Sequence, residues 1–268
     1  MERDLPSLWV PLLTRLSAES ADQGVWKNAE AGLTGAGDVD FVAPRSEWEG
    51  IRILVQSWAG EAGLGPVIVC RHMPNTEFFL TVDRSVPDFL QLDVRDRATF
   101  RGSTVFEPSD IAHLMEMDPR GFRRLRAGAE GLVKLVISGT GPAGRAKPNT
   151  LKKERVLELL ASDPTGMRDA AASVFSRVEK FVLAGADAAM QGRWNRRAMA
   201  TVEAFYGLKG ASEPGTVVGR LRARRAKKNC EVMRTSLGGR RIPGDVDAWL
   251  ERVARSHRVS YDASDHDR

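Results

Sequence analysis

Apolar and polar positions recur with two different periods along this chain, and the change of period divides it. Leu8, Leu12 and Leu16 lie at helical spacing and predict a packing helix over 5–16. A turn signal at 33–37 follows, and 38–43 then reads as a strand ended by Pro44. Ser46 is positioned to cap a helix from Glu47 to about Gly60, with Ile51, Leu54, Val55 and Trp58 on its apolar face. Three more strands are predicted at 67–70, 78–82 and 89–94, the first two joined through a turn at Pro74 and Asn75. Beyond them the pattern becomes helical. Ser109 caps 110–117, and helical spacing covers about 119–138, 151–161, 167–185, 187–206, 217–233 and 245–257, with a basic Gly/Pro-rich connector at 139–149. The predicted fold class is α+β. A mixed sheet with helices occupies 1–110, an all-helical region 111–258 and a flexible tail 259–268, with strands ceasing between Phe106 and Gly121.

Composition narrows the class. With 42% hydrophobic and 28% charged residues in 268, the chain has the make-up of a globular protein and not of a disordered one. No run approaches the ~18 apolar residues of a membrane span. The first residues carry acids and prolines instead of the basic-then-apolar order of a signal peptide. Two cysteines, Cys70 and Cys230, and four histidines exclude a disulfide scaffold and a His/Cys metal cluster, so a reduced, cytoplasmic setting is expected. Charge is unevenly shared. Residues 1–130 hold 14 Lys and Arg against 20 Asp and Glu, a net of −6, while 131–268 hold 26 against 15, a net of +11. An acidic half suits metal ions and a basic half suits phosphates or a polyanion.

The carboxylates give that division a chemistry. Asp38 and Asp40 stand two apart on a predicted strand, so both project to one face while Val39, Phe41 and Ala43 face the other. In 89–94 the same alternation sends Leu90, Leu92 and Val94 one way and Gln91 and Asp93 the other. If the two strands pair side by side, Asp93 joins Asp38 and Asp40. Like charges at ~4 Å cost several kcal/mol unless a cation lies between them. Magnesium, a hard ion bound by oxygens, suits such a group, with manganese as a substitute, and two such ions serve in-line phosphoryl displacement. Immediately upstream, Gly35 and Gly37 flank Ala36 in a turn whose missing side chains would let backbone amides approach an anion.

The stretch 33–42, Leu-Thr-Gly-Ala-Gly-Asp-Val-Asp-Phe-Val, resembles the metal-binding motif of the DNA polymerase β-like nucleotidyltransferase superfamily. The strand Phe-Leu-Gln-Leu-Asp-Val at 89–94 resembles its third-carboxylate strand, and the likeness covers about 22–95. That resemblance implies transfer of a nucleoside monophosphate from a triphosphate such as ATP to an acceptor hydroxyl. Asp38 and Asp40 would bind both magnesium ions, and Asp93 would act on the acceptor side. It also implies an N-terminal nucleotidyltransferase-like domain followed by helices, loosely as in small bacterial members associated with surface-polysaccharide genes. One feature departs from the family pattern: Lys27 and Asn28 stand where a Gly-Ser pair usually holds the γ-phosphate. Lysine offers a charge and asparagine an amide in its place.

Other cations are candidates for the same triphosphate, namely Lys134 and Lys152, with Arg145, Lys147 and Lys153 beside them. The literal G-x-G-x-x-G at 139–144 follows a helical pattern and contains proline, so it reads as a connector and not as a dinucleotide loop. Residues 191–241 hold 13 Lys and Arg against 3 acids, densest at 220–228. Arg224, Arg225, Lys227 and Lys228 there are candidates for contact with RNA or another polyanion. Two classes follow: a metal-dependent nucleotidyltransferase, or a nucleic-acid or partner-binding protein on a catalytically weakened version of that fold.

Overall fold

A computed structural model describes residues 4–65, 67–73, 75–83, 89–147, 154–212, 218 and 230–233. The fold is α+β. Among the described residues, ten strands form an eight-stranded sheet and a two-stranded one. They are β1 (Gly24–Lys27), β2 (Val39–Val42), β3 (Val67–Met73), β4 (Thr76–Val82), β5 (Phe89–Arg95), β6 (Ala98–Phe100), β7 (Ser103–Phe106), β8 (Met115–Met117), β9 (Arg123–Leu125) and β10 (Cys230–Met233). The large sheet runs β10-β3-β4-β5-β2-β1-β9-β8, and β6 pairs with β7. Pairings β2–β5 and β1–β9 are parallel, and the remaining pairings are antiparallel.

Helices α1 (Leu5–Glu19), α2 (Ala29–Leu33) and α3 (Trp48–Glu61) belong to the first part of the chain. Leu8, Leu12 and Leu16 are buried as their spacing predicts, and Ile51, Val55 and Trp58 are buried on α3. Trp9 stacks on Trp58 at 5.1 Å, and the Trp58 indole N–H donates to the Leu8 carbonyl at 2.8 Å, tying α1 to α3. Together with Val39, Phe41, Leu90, Leu92 and Val94 they form a core on one face of the sheet. A second core gathers Trp26 and Val42 from the other face, Phe100 and Phe106 from β6 and β7, and the apolar sides of the later helices. Those helices are α4 (Pro108–Ile111), α5 (Ala127–Val133), α6 (Glu154–Ser162), α7 (Pro164–Ser173), α8 (Glu179–Met190) and α9 (Arg196–Ala211). Among the described residues no helix is long and apolar enough to cross a membrane.

Several local expectations change. Ser46 lies inside a short 3-10 turn, Arg45–Glu47, and α3 begins at Trp48 with Glu47 as its cap. The helix expected at 110–117 is the single turn α4, capped reciprocally by Glu107 and Asp110, then a 3-10 turn and strand β8. Strands β8 and β9 interrupt the region read as helical, because Pro119 and Gly121, the latter with φ +99°, make a tight turn closed by the Gly121 amide on the Asp118 carbonyl at 2.8 Å, and the flanking residues pair as a hairpin. The span 167–185 breaks into α7 and α8, and 187–206 into α8 and α9. Residues 230–233 form strand β10 instead of the end of a helix. The rest of 217–229, apart from Val218, and the helix and tail expected at 245–268 lie outside the described residues.

Candidate functional site

Strands β2 and β5 pair in parallel with Asp40 opposite Asp93. Directly paired residues share a face, so the alternation that buries Val39, Phe41, Leu92 and Val94 in one core sends Asp40 and Asp93 to the other side. Asp38 lies just before β2, half-buried, and one carboxylate oxygen from each of the three lies within 4.8 Å of the others. Asp40 is 0% exposed. Burial drives its carboxyl above the usual range, although the charges of Lys27 and Arg95 oppose this. Burial, and then the charge of Asp40, push the Asp93 carboxyl up to about 8, against a hydrogen bond donated by Gln91 Nε2 at 2.6 Å. Asp40 Oδ1 has no hydrogen-bond partner among the described residues. A buried, mutually repelling oxygen set with an unsatisfied acceptor fits a hard cation.

Protein cations already touch this group. A bulge in β1 sets Lys27 in register with Asp40, although regular alternation from Val25 would turn Lys27 to the other face. The Lys27 ammonium, 19% exposed, lies 2.9 Å from Asp40 Oδ2. Arg95, two residues beyond Asp93 on the same face, reaches Asp40 Oδ1 at 3.6 Å and Asp93 Oδ2 at 3.8 Å. Both cations also lie over the Trp26 ring, at 5.0 and 5.1 Å from its centre. Asn28 adopts a left-handed backbone, φ 58°, and its Nδ2 donates to Asp40 Oδ2 at 3.2 Å. Its Oδ1 accepts from Lys134 Nζ at 2.8 Å, while its backbone N–H donates to Glu130 Oε1 at 2.9 Å. Glu130 and Lys134 stand four apart and pair with each other at 3.5 Å. Burial pulls the Lys134 ammonium below its ordinary range, against the charge of Glu130. The helical half thus contributes a wall to the site through α5 and the π-turn Lys134–Ser138 that follows it.

The glycine turn divides its work. Gly35 has φ +76°, a left-handed backbone that favours glycine, while the only atom a Cβ there would crowd is the tip of the Leu5 side chain, which can move. Its amide donates to the Gly32 carbonyl at 3.2 Å, and that of Ala36 to the Ala31 carbonyl at 2.8 Å. These two amides close α2 and are not free for an anion, whereas a Cβ at Gly37 would meet nothing within 4 Å.

Of the residues singled out from the sequence, Asp38, Asp40, Asp93, Lys27, Asn28 and Lys134 converge. Lys147 turns elsewhere, donating to the Ile137 carbonyl at 3.3 Å. Lys152 and Lys153, with Arg224, Arg225, Lys227 and Lys228, lie outside the described residues. Gln91 lies on the face the alternation gives it, beside Asp93, whereas Arg95 and Glu130 are not among the candidates singled out from the sequence. The alternation that selects Asp93 also selects Arg95 and Gln91, and the i,i+4 spacing to Lys134 selects Glu130. Comparison with models of known protein families, with curated proteins and with solved structures returns no match.

Proposed function

We propose that the chain is a metal-dependent nucleotidyltransferase that moves a nucleoside monophosphate from a triphosphate, ATP among the candidates, to an acceptor hydroxyl. The observation that carries the reading is the meeting of Asp38, Asp40 and Asp93 on one face of two parallel central strands. These three would hold the magnesium or manganese, which when bound neutralises triphosphate charge and favours an ionised acceptor oxygen. The protein's own groups do the rest. Asp93 serves the acceptor side. Lys27 and Lys134 offer ammonium groups to phosphate oxygens, and Lys134 holds Asn28 in the orientation that presents its amide. Gly37 leaves room beside the phosphates. The acceptor is a hydroxyl of RNA or of another polyanion, and the cytoplasm is the setting.

A second reading has its own observation. With the Lys27 ammonium on Asp40 and Arg95 beside it, the carboxylates have resident counter-ions. On this reading the chain is a nucleic-acid or partner-binding protein on a catalytically weakened fold. Thermal unfolding separates the two. A magnesium–triphosphate complex at a hundredfold excess over its dissociation constant should stabilise the protein by about 2.7 kcal/mol, seen as a rise of several degrees in melting midpoint. Asp40→Asn should remove that rise while the protein stays folded. No response to metal or triphosphate, together with salt-dependent affinity for RNA, would favour the second reading.

A further inference from the structure

Among the described residues, Arg95 is the one cation within ion-pair reach of two of the three carboxylates. Its backbone is paired on both sides, with Thr76 of β4 and Val42 of β2. Its guanidinium lies over Trp26, which is 1% exposed and held edge-on by Phe106 at 5.6 Å. Strand and platform together fix where the charge stands. A guanidinium does not lose its proton in a protein, so the charge is permanent. Lys27 differs, since it touches Asp40 alone and from a flexible stem that can withdraw.

The distances show how Arg95 acts. One guanidinium nitrogen stands 3.6 Å from Asp40 Oδ1 and 3.8 Å from Asp93 Oδ2. Both exceed a hydrogen bond, so the guanidinium neutralises the pair without occupying its oxygen lone pairs. Arg95 Nε and Asp40 Oδ1 are both buried with no hydrogen-bond partner among the described residues. Charge and stacking, not hydrogen bonding, hold this side chain in place. No ion pair among the described residues reaches Asp38. The carboxylate group is thus divided. The side shared by Asp40 and Asp93 has a resident positive charge, and the side of Asp38 has none.

We propose that Arg95 takes the place of a second metal ion, so that the site accepts one divalent cation, beside Asp38, and not two. A second cation would have to stand next to a fixed guanidinium that repels it. The free lone pairs of Asp38 and Asp40 suit the single ion, a hard cation bound by oxygens. The inference rests on the metal-dependent reading above and sets the number of ions that reading requires.

The test is a titration of the full chain, stripped with a chelator, with manganese alone, reading unbound manganese by electron paramagnetic resonance. The unaltered chain should saturate at one equivalent, and Asp38→Asn should lose it. Arg95→Met keeps a stem on Trp26 and removes the charge, and it should saturate at two equivalents. Two manganese ions about 3.5–4 Å apart should also give a spin-coupled signal that the unaltered chain lacks. Arg95→Lys retains a charge and should stay at one. Circular dichroism checks that each variant keeps its melting transition, and Arg95→Gln replaces Arg95→Met if that variant does not. Two equivalents in the unaltered chain would overturn the inference and leave the metal-dependent reading standing. One equivalent in both the unaltered chain and the folded neutral variant would overturn it as well. No manganese bound to the unaltered chain would remove the metal-dependent reading, and the inference with it.

Discussion

Lys27 decides how Asp40 can exist where it does. A carboxylate with no exposed surface is costly to ionise, and the Lys27 ammonium at 2.9 Å is the nearest compensation for it. Replacing Lys27 with Met keeps the stem that packs near Trp26 and removes the charge. In metal-free buffer Lys27→Met should destabilise the protein by about 3–5 kcal/mol, the range for breaking a buried ion pair from one side. Urea denaturation measures this, and added magnesium should recover a large part of it. An unchanged urea midpoint without metal would mean that Arg95 alone suffices for Asp40.

Among elements, α5 lies close against the start of α7. A Cβ on Gly128 would lie 1.9 Å from the Asp163 carbonyl oxygen, and the Asp163 carboxylate accepts from the backbone N–H groups of both Gly128 and Gly166. Gly128→Ala should therefore push α5 off α7 and cost more than about 3 kcal/mol, read by chemical denaturation, with loss of the Lys134–Asn28 contact downstream. The β8–β9 hairpin supplies a pH dependence. Arg120 holds the Asp118 carboxyl below its usual range, and that of Glu30 as well. A depressed folded-state value means stability that is present above the ordinary carboxylate range, about 4, and lost as pH falls through the depressed value. Arg120→Ala should accordingly cost most at pH 7, and its cost should fade on acidification. A cost independent of pH would assign Arg120 to packing on Phe122 instead. This hairpin also marks the limit of what the sequence makes legible. Continuous apolar runs locate β3 and β4, and period-two alternation locates β2 and β5 and the face that carries Asp40 and Asp93. The three-residue strands β8 and β9 carry too little pattern to outweigh neighbouring helical spacing. The bulge at Trp26 and Lys27 leaves no periodic trace, so only the resemblance drew attention to Lys27, and the side chains it meets came from the fold.

At the scale of the whole molecule, two cores share one sheet, and the second does not respect the division at residue 110. Trp26, Val42, Phe100 and Phe106 are buried against Leu132, Val136, Phe175 and Tyr206. A fragment of residues 1–110 would expose those four aromatic and aliphatic side chains to water, at roughly 1.5–3 kcal/mol each. It should lack a cooperative melting transition by circular dichroism, whereas the full chain should show one. A well-folded fragment would mean that the sheet needs only the core formed by α1 and α3. The same arrangement explains how an acidic half and a basic half serve one site. The carboxylates rise from the sheet, and Lys134 descends from the helical wall that buries Trp26.

The route of the chain through β1, β2 and β5 also sets an order of entropic cost. Lys27 and Asp40 are 13 positions apart and belong to a local antiparallel pair, whereas Asp93 comes 53 positions after Asp40 and reaches it only after α3 and the β3–β4 hairpin have been laid down. The contact that compensates Asp40 therefore closes a much shorter loop than the contact that brings Asp93 to it, and costs less chain entropy to form.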